Sequence, residues 1–387
     1  MAIHASGTVS RRPRQRSSHS GGRPVSCPTP PDSPLHMLRK VHSLATSSRP
    51  ARFLKQHLLQ LIALTQRYPW VIALYGFVSG VASFILVDRQ DRLAALIAIL
   101  MLVTWLFLML ESAFNQRLAR WFGIELPVWL VRFVTQMIHQ QSLFFVLPFF
   151  AMSTAWDSGQ LVFTGLLGSA ALISVVDPLY YNWLASLRWL YLAFHSLTLF
   201  AVMLTALPII LHLTTAQSYQ LALLVTVLLA FPTLATSLRL ASRWRWLAVL
   251  LLSATLLGGG WLARPWIPPA TLRLTDMAIS LQLNNKLRTP GASLEEFTHA
   301  QLRRRGLYAF TAISAPRGLK ERIYHVWRHN GRVIDRIALD IQGGINGGYR
   351  AWSYKQNFPS DSLGDWQVEV LTAGGQVIGV LRFNVTP

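Results

Sequence analysis

Between Pro69 and Ala263 the chain alternates long apolar runs with short polar breaks. About 20 mainly apolar residues are needed to span a bilayer core as helix. Seven runs approach that length: Pro69–Val87, Leu93–Leu110, Phe133–Met152, Leu161–Val176, Trp189–Leu211, Gln220–Leu238 and Trp246–Ala263. Between the second and third, Ser112–Leu130 carries Arg117, Arg120, Trp121, Phe122 and Trp129, which predicts a helix lying in the interface, or else a plain loop. Trp and Tyr recur at the span ends, where an aromatic belt would sit.

After Ala263 the pattern changes. Residues 264–272, with Arg264-Pro-Trp-Ile-Pro-Pro269, read as a stiff Pro-rich linker that holds the next domain just off the bilayer. Leu274–Leu283 and Leu307–Ser314 have strand character. Ser293–Arg304 between them reads as a helix opening on Ser293 and Glu296 at capping-box spacing. Arg322–Arg328 alternates, His329-Asn-Gly331 supplies a type I′ turn, and Val333–Ile341 returns. Gly343–Gly348 is a loop and Tyr349–Phe358 alternates again. Trp366–Leu371 and Val377–Val385 flank a second tight hairpin at Thr372–Gly375. The expected fold class is therefore a membrane all-α bundle of about seven transmembrane helices followed by an all-β antiparallel sandwich over 273–387. The expected sandwich core includes Ile323, Ile334, Trp352, Trp366 and Phe383.

Charge sharpens this picture. Charged residues make up 13% of the chain, against about 25% in a soluble domain, and the deficit lies in 69–263. Of the net +20, residues 1–68 carry +10, the membrane part +3 and residues 264–387 +7. Residues 1–50 are a basic Ser/Pro-rich tail, expected to be disordered, and 51–68 a cytoplasmic juxtamembrane segment. The tail is too long for a simple cleavable signal, and Met37 offers an alternative start. Neither a recognition fold nor interleaved aromatics accompany its basic charge, which argues against nucleic acid. Arg117, Arg120, Arg132, Arg188, Arg239, Arg243 and Arg245 fall in alternate loops. The intervening loops hold only Arg89 and Arg92, balanced by Asp88 and Asp91. The positive-inside rule then places the N-terminus in the cytoplasm and the sandwich in the periplasm of a bacterial inner membrane. Cys27 is the sole cysteine, so no intramolecular disulfide or thiol pair can form.

From Tyr324 to Val385 the text resembles a bacterial family known as domain of unknown function 2914. The resemblance rests on His325-x-Trp327, Asn330-Gly331, Gly348-Tyr-Arg350, Trp352-Ser353, Gly364-x-Trp366-x-Val368 and the closing Gly375, Gly379 and Phe383-x-Val385. It covers residues 322–385, and the region in front resembles the uncharacterised membrane part that accompanies such domains. The resemblance implies no activity.

Two constellations stand out. On the strand face of His325 and Trp327, together with Tyr349, Arg350 and Trp352, a surface would offer an imidazole, a guanidinium and aromatics to a carboxylate, sugar or peptide. The blander reading makes the tryptophans core, with His325 and Arg350 at its rim. In the third run, Thr135, Gln136, His139 and Gln140 share one helical face, and His195 in the fifth run is expected to face the same interior. The alternatives there are a proton-linked cavity or plain interhelical hydrogen bonding. Nothing points to a catalytic residue, a metal site or a cofactor. The expected function is a membrane-anchored module whose sandwich binds a periplasmic protein or envelope component. A small transporter is the alternative, and an enzyme acting on lipid or glycan a third.

Overall fold

In the computed structural model, residues 128–387 are described apart from 238–241, 285, 316–318, 320 and 342–347. Within 1–127 only 74–75, 77–82, 85, 95–96 and 98–106 are described. The tail, the juxtamembrane segment, the expected interfacial helix up to residue 127 and nearly all of the Gly343–Gly348 loop thus lie outside the described residues, as do most of the first two expected spans.

The helical part comprises α1 (Val128–Ser153), α2 (Gln160–Val175), a π-helical turn (Pro178–Leu184), α3 (Arg188–Leu211), α4 (Thr215–Ser237) and α5 (Ser242–Ala263). Three of these helices, α3, α4 and α5, are each long and apolar enough to cross a membrane. The pair formed by α2 and the π turn, bent by 102°, makes a fourth if counted as one broken span. The third expected run is present as α1, but the polar face from Gln136 to Ser142 lowers its hydropathy below that of a plain span. Within the α3 span 72% of the positions are buried, against 6% in the α5 span, so α3 is the central helix and α5 a peripheral one.

The C-terminal region is β-rich. One sheet orders β1 (Arg273–Ser280), β5 (Leu307–Ser314) and β8 (Tyr349–Lys355) as β1-β5-β8. The other contains β4 (Glu296–Thr298), β6 (Ile323–His329), β7 (Arg332–Ala338), β9 (Gly364–Thr372) and β10 (Val377–Thr386), ordered β4-β10-β9-β6-β7. A small hairpin pairs β2 (Leu283–Asn284) with β3 (Thr289–Pro290). The two large sheets share one core, in which Ile279, Leu307 and Ile313 meet Trp327, Trp366 and Phe383. Among the described residues no strand pairs one sheet to the other. The type I′ turn is present, with Asn330 and Gly331 both at positive φ (47° and 80°).

Three sequence expectations are corrected. The helix expected from Ser293 is instead the short α6 (His299–Arg305), capped by Thr298 and Gln301 in a capping box. Both Ser293-x-x-Glu296 and Thr298-x-x-Gln301 fit the motif. The upstream residues are drawn into β4, which runs parallel to β10 and buries Phe297. Ile334 is exposed, because it sits at a bulge on the edge strand β7. Trp352 leaves the main core and packs on the outer side of the three-stranded sheet with Phe310 and Ala278.

The segment between α5 and β1 is short and held at both ends. Arg264–Trp266 form a 3-10 turn, Ile267 and Ala270 are buried in the helical core, and Leu272 in the β core. Instead of standing off the helices, the β-rich region is bonded to them. Gln160 Nε2 donates to the Val377 carbonyl (2.7 Å), and Gln376 Nε2 to that of Ile267 (3.1 Å). Arg382 forms an ion pair with Asp157 and donates to its carbonyl (3.2 Å). Thr215 donates twice to Glu321, from its amide (3.2 Å) and its hydroxyl (2.8 Å).

Candidate functional site

The interior of the helical bundle contains a polar centre assembled from α1, the helix break and α3. Pro178 has no amide proton, so the Ser174 carbonyl four residues back loses its helical partner. Gln136 supplies a substitute: its Nε2 donates to Ser174 O (3.1 Å) and to Asp177 Oδ1 (2.8 Å). One turn along α1, His139 is fully buried and bonded at both ring nitrogens. Nδ1 meets the Tyr180 hydroxyl at 2.8 Å, and Nε2 meets His195 Nδ1 at 3.0 Å. The Trp105 ring lies 4.7 Å from the His195 ring, and Trp105 Nε1 donates to Ser142 Oγ (2.9 Å). Phe194 and Tyr191 close the walls edge-on to His139.

Gln136, His139 and His195 are thus brought together, as the helical spacing suggests. Gln140 is buried nearby, and its Nε2 has no partner among the described residues. Gln141 turns away to bond Ser79. Tyr180 and Trp105 are members that the sequence reading missed. Tyr180 looks like a belt residue until the break at Pro178 turns it inward, and Trp105 sits in an unbroken apolar run. Toward the β-rich end, Leu143, Val146, Phe150, Phe163, Leu167 and Phe200 form an apolar layer, beside which the buried Thr154 and Thr164 hydroxyls meet at 2.6 Å.

The β-rich constellation is split between two faces. His325 and Trp327 are fully buried between the sheets. His325 Nδ1 meets Ser353 Oγ at 2.8 Å, its Nε2 meets Thr311 Oγ1 at 3.2 Å, and Trp327 Nε1 donates to Ser353 (3.1 Å). Burial pushes the His325 imidazole down to about 3. Arg350 and Trp352 point to the other side of β8. There the Arg288 guanidinium lies 4.9 Å over the Trp352 ring and donates to the Arg350 carbonyl, while Arg350 donates to Leu287 O. Tyr308 and Tyr354 stack beside them at 4.3 Å. Tyr349 is half-buried on the inner side. The five residues therefore form no single surface.

A family of unknown function, DUF5924, matches residues 51–309, well over half of the 387 residues. The chain belongs to that family. A second match, to a protein of unknown function, DUF2914, covers residues 320–385 at the C-terminus, where the resemblance was read. No curated protein and no solved structure matches the chain. The DUF5924 match ends inside β5, and the DUF2914 match begins just before β6. The boundary thus runs through the β-rich region. DUF5924 supplies β1, the edge strand β4 and the first three residues of β5, and DUF2914 supplies β6, β7, β8, β9 and nearly all of β10.

Proposed function

We propose that the chain is a multi-pass inner-membrane module for sensing or assembly. In this reading about seven helices cross the bilayer, the N-terminus is cytoplasmic, and the β-rich region is a sandwich on the periplasmic side that receives a protein or envelope component. The observation that supports it is the seating of the β-rich region on the loops between α1 and α2 and between α3 and α4. Neither of these loops contains Lys or Arg. Arg132, Arg188 and Arg245 sit near the opposite ends of their helices, which is the charge distribution expected of cytoplasmic ends. A bonded seat makes bundle and sandwich a single body, as a sensor or assembly platform needs. With His325 and Trp327 sealed in the core, the partner-facing candidates are Arg350 and Trp352 with their Arg288, Tyr308 and Tyr354 neighbours.

Crosslinking of the full chain in native membranes, read by mass spectrometry, tests this. Crosslinks from the outer face of β8 to a recurrent envelope component are expected, weakened by Arg350→Ala with Trp352→Ala. Crosslinks that ignore both changes would remove that face from the reading. Alkaline phosphatase fused at the C-terminus should be active; activity of a cytoplasmic reporter there overturns the topology.

A small transporter is the second reading. It is favoured by the broken α2 beside paired histidines, since discontinuous helices line the midplane sites of transporters. The apolar layer beyond the His139 centre weighs against it.

A further inference from the structure

We infer that the Glu321–Thr215 contact is a protonation-sensitive latch between the β-rich region and the helical bundle. It deepens the sensing reading by naming a regulated joint, and rests on that reading only for its purpose.

Thr215 opens α4, a helix of 23 residues. The first amides of a helix have no partner within it and form its positive end. Here the amide and hydroxyl of Thr215 are both satisfied by the Glu321 carboxylate, from a residue 106 positions later in the chain. The β-rich region therefore caps a helix of the bundle with one of its own side chains. Among the described residues none of the ion pairs involves Glu321. Next to it is a cavity of about 30 Å³ lined by His212, Thr214, Thr215, Thr271, Leu319 and Glu321. That is room for a water or two beside the carboxylate, and no more.

Among the described residues, the groups that line the cavity beside Glu321 are mostly uncharged. The α3–α4 loop presents His212, Thr214 and Thr215, and the strand entering β1 presents Thr271, with Arg273 two residues on. On its own segment Leu319 lines the cavity and the exposed Arg322 follows, while Arg317 and Lys320 lie outside the described residues. Burial raises the hold of Glu321 on its proton above the ordinary carboxylate range, and the two Thr215 donors pull the other way without reversing it. A carboxyl that binds its proton more tightly when docked than when exposed favours docking at low pH. That contribution is complete below the undocked pKa and is lost as pH rises through the docked one. Each unit of difference between the two is a tenfold change in the docking equilibrium.

Hydrogen–deuterium exchange of the full chain in lipid nanodiscs reads the joint directly, through the first turn of α4 and the β9–β10 turn, after correction for intrinsic exchange. Between about pH 5 and about pH 8, protection in both is expected to fall in the wild type. Glu321→Gln keeps the shape and removes the charge, so its protection should stay high and flat across that range. His212 lines the same cavity and carries an ionisable ring, so His212→Asn must leave the wild-type slope in place. Arg382→Ala should lower protection at every pH without changing the slope. A flat wild-type profile, an unchanged slope in Glu321→Gln, or a slope abolished by His212→Asn overturns the latch. None of these results bears on whether β8 meets an envelope partner, so the latch and the proposed function fail separately.

Discussion

His325 shows what a single side chain can carry in two incompatible readings. Beside Trp327 on an alternating strand, it suits either a binding face or a core. Across the sheets, Ser353 and Thr311 take both ring nitrogens, and Ser353 also accepts from Trp327. With Ser353 giving its proton to Nδ1, the ring is left to donate from Nε2 to Thr311. A neutral imidazole with both nitrogens bonded is stable in a dry core, while an imidazolium is not. The unfolded ring binds a proton near pH 6.5 and the folded one only near 3. The unfolded state therefore binds more protons between these values, and stability falls as pH drops through that window. The loss should be of order 4 kcal/mol at the acid end, read as a fall in the melting temperature of the β-rich region by near-ultraviolet circular dichroism. His325→Ala should cost about 2–4 kcal/mol near neutrality and flatten that pH dependence. A mutant that keeps the wild-type slope would assign the effect elsewhere. The alternation of the strand was legible; which side carried the core was not, because Ser353 and Thr311, hydroxyls expected on a wet face, complete the dry one.

At the level of elements, the hairpins were the most legible features. Asn330-Gly331 requires two positive φ angles whatever surrounds it, so local chemistry decides the turn. The start of α6 was misplaced because two capping boxes compete within the nine residues 293–301, and the decision falls to a strand 88 residues away, where Phe297 lies opposite Val385. The polar stripe of α1 was legible from its spacing. Its purpose was not, since the carbonyl that needs Gln136 is released by a proline on another helix. Gln136→Leu leaves the Ser174 carbonyl and the Asp177 carboxylate without this donor, and should destabilise the bundle by about 1–3 kcal/mol in thermal unfolding in micelles. Gln136→Glu should be worse, because a second carboxylate then faces Asp177. If Gln136→Leu melts like the wild type, the break at Pro178 is supported by other groups.

Over the whole molecule, the change from bilayer text to strand text after Ala263 was legible from hydropathy alone. The seat between the two parts was not: Gln160 meets Val377 across 217 positions, and no local pattern announces such a pair. The same is true of the β-rich region itself. β8 is held in its sheet by β5, and β10 takes β4 along one edge. Residues 320–385 alone lack both partners and the Leu307 and Ile313 side of the core. That fragment is expected to stay unfolded, with poor dispersion in its proton–nitrogen spectrum, while residues 270–387 give a dispersed one. A folded 320–385 fragment would show that one sheet suffices.

The short passage from α5 to β1 has a mechanical consequence. Few positions of α5 are buried, and the residues after it are anchored first in the helical core and then in the β core. Such a joint has no slack. A tilt of α5 imposed by a thicker or thinner bilayer has little flexible chain in which to dissipate, so it is delivered to β1 as torque. The strands beyond then turn with the helix as a crank turns with its shaft.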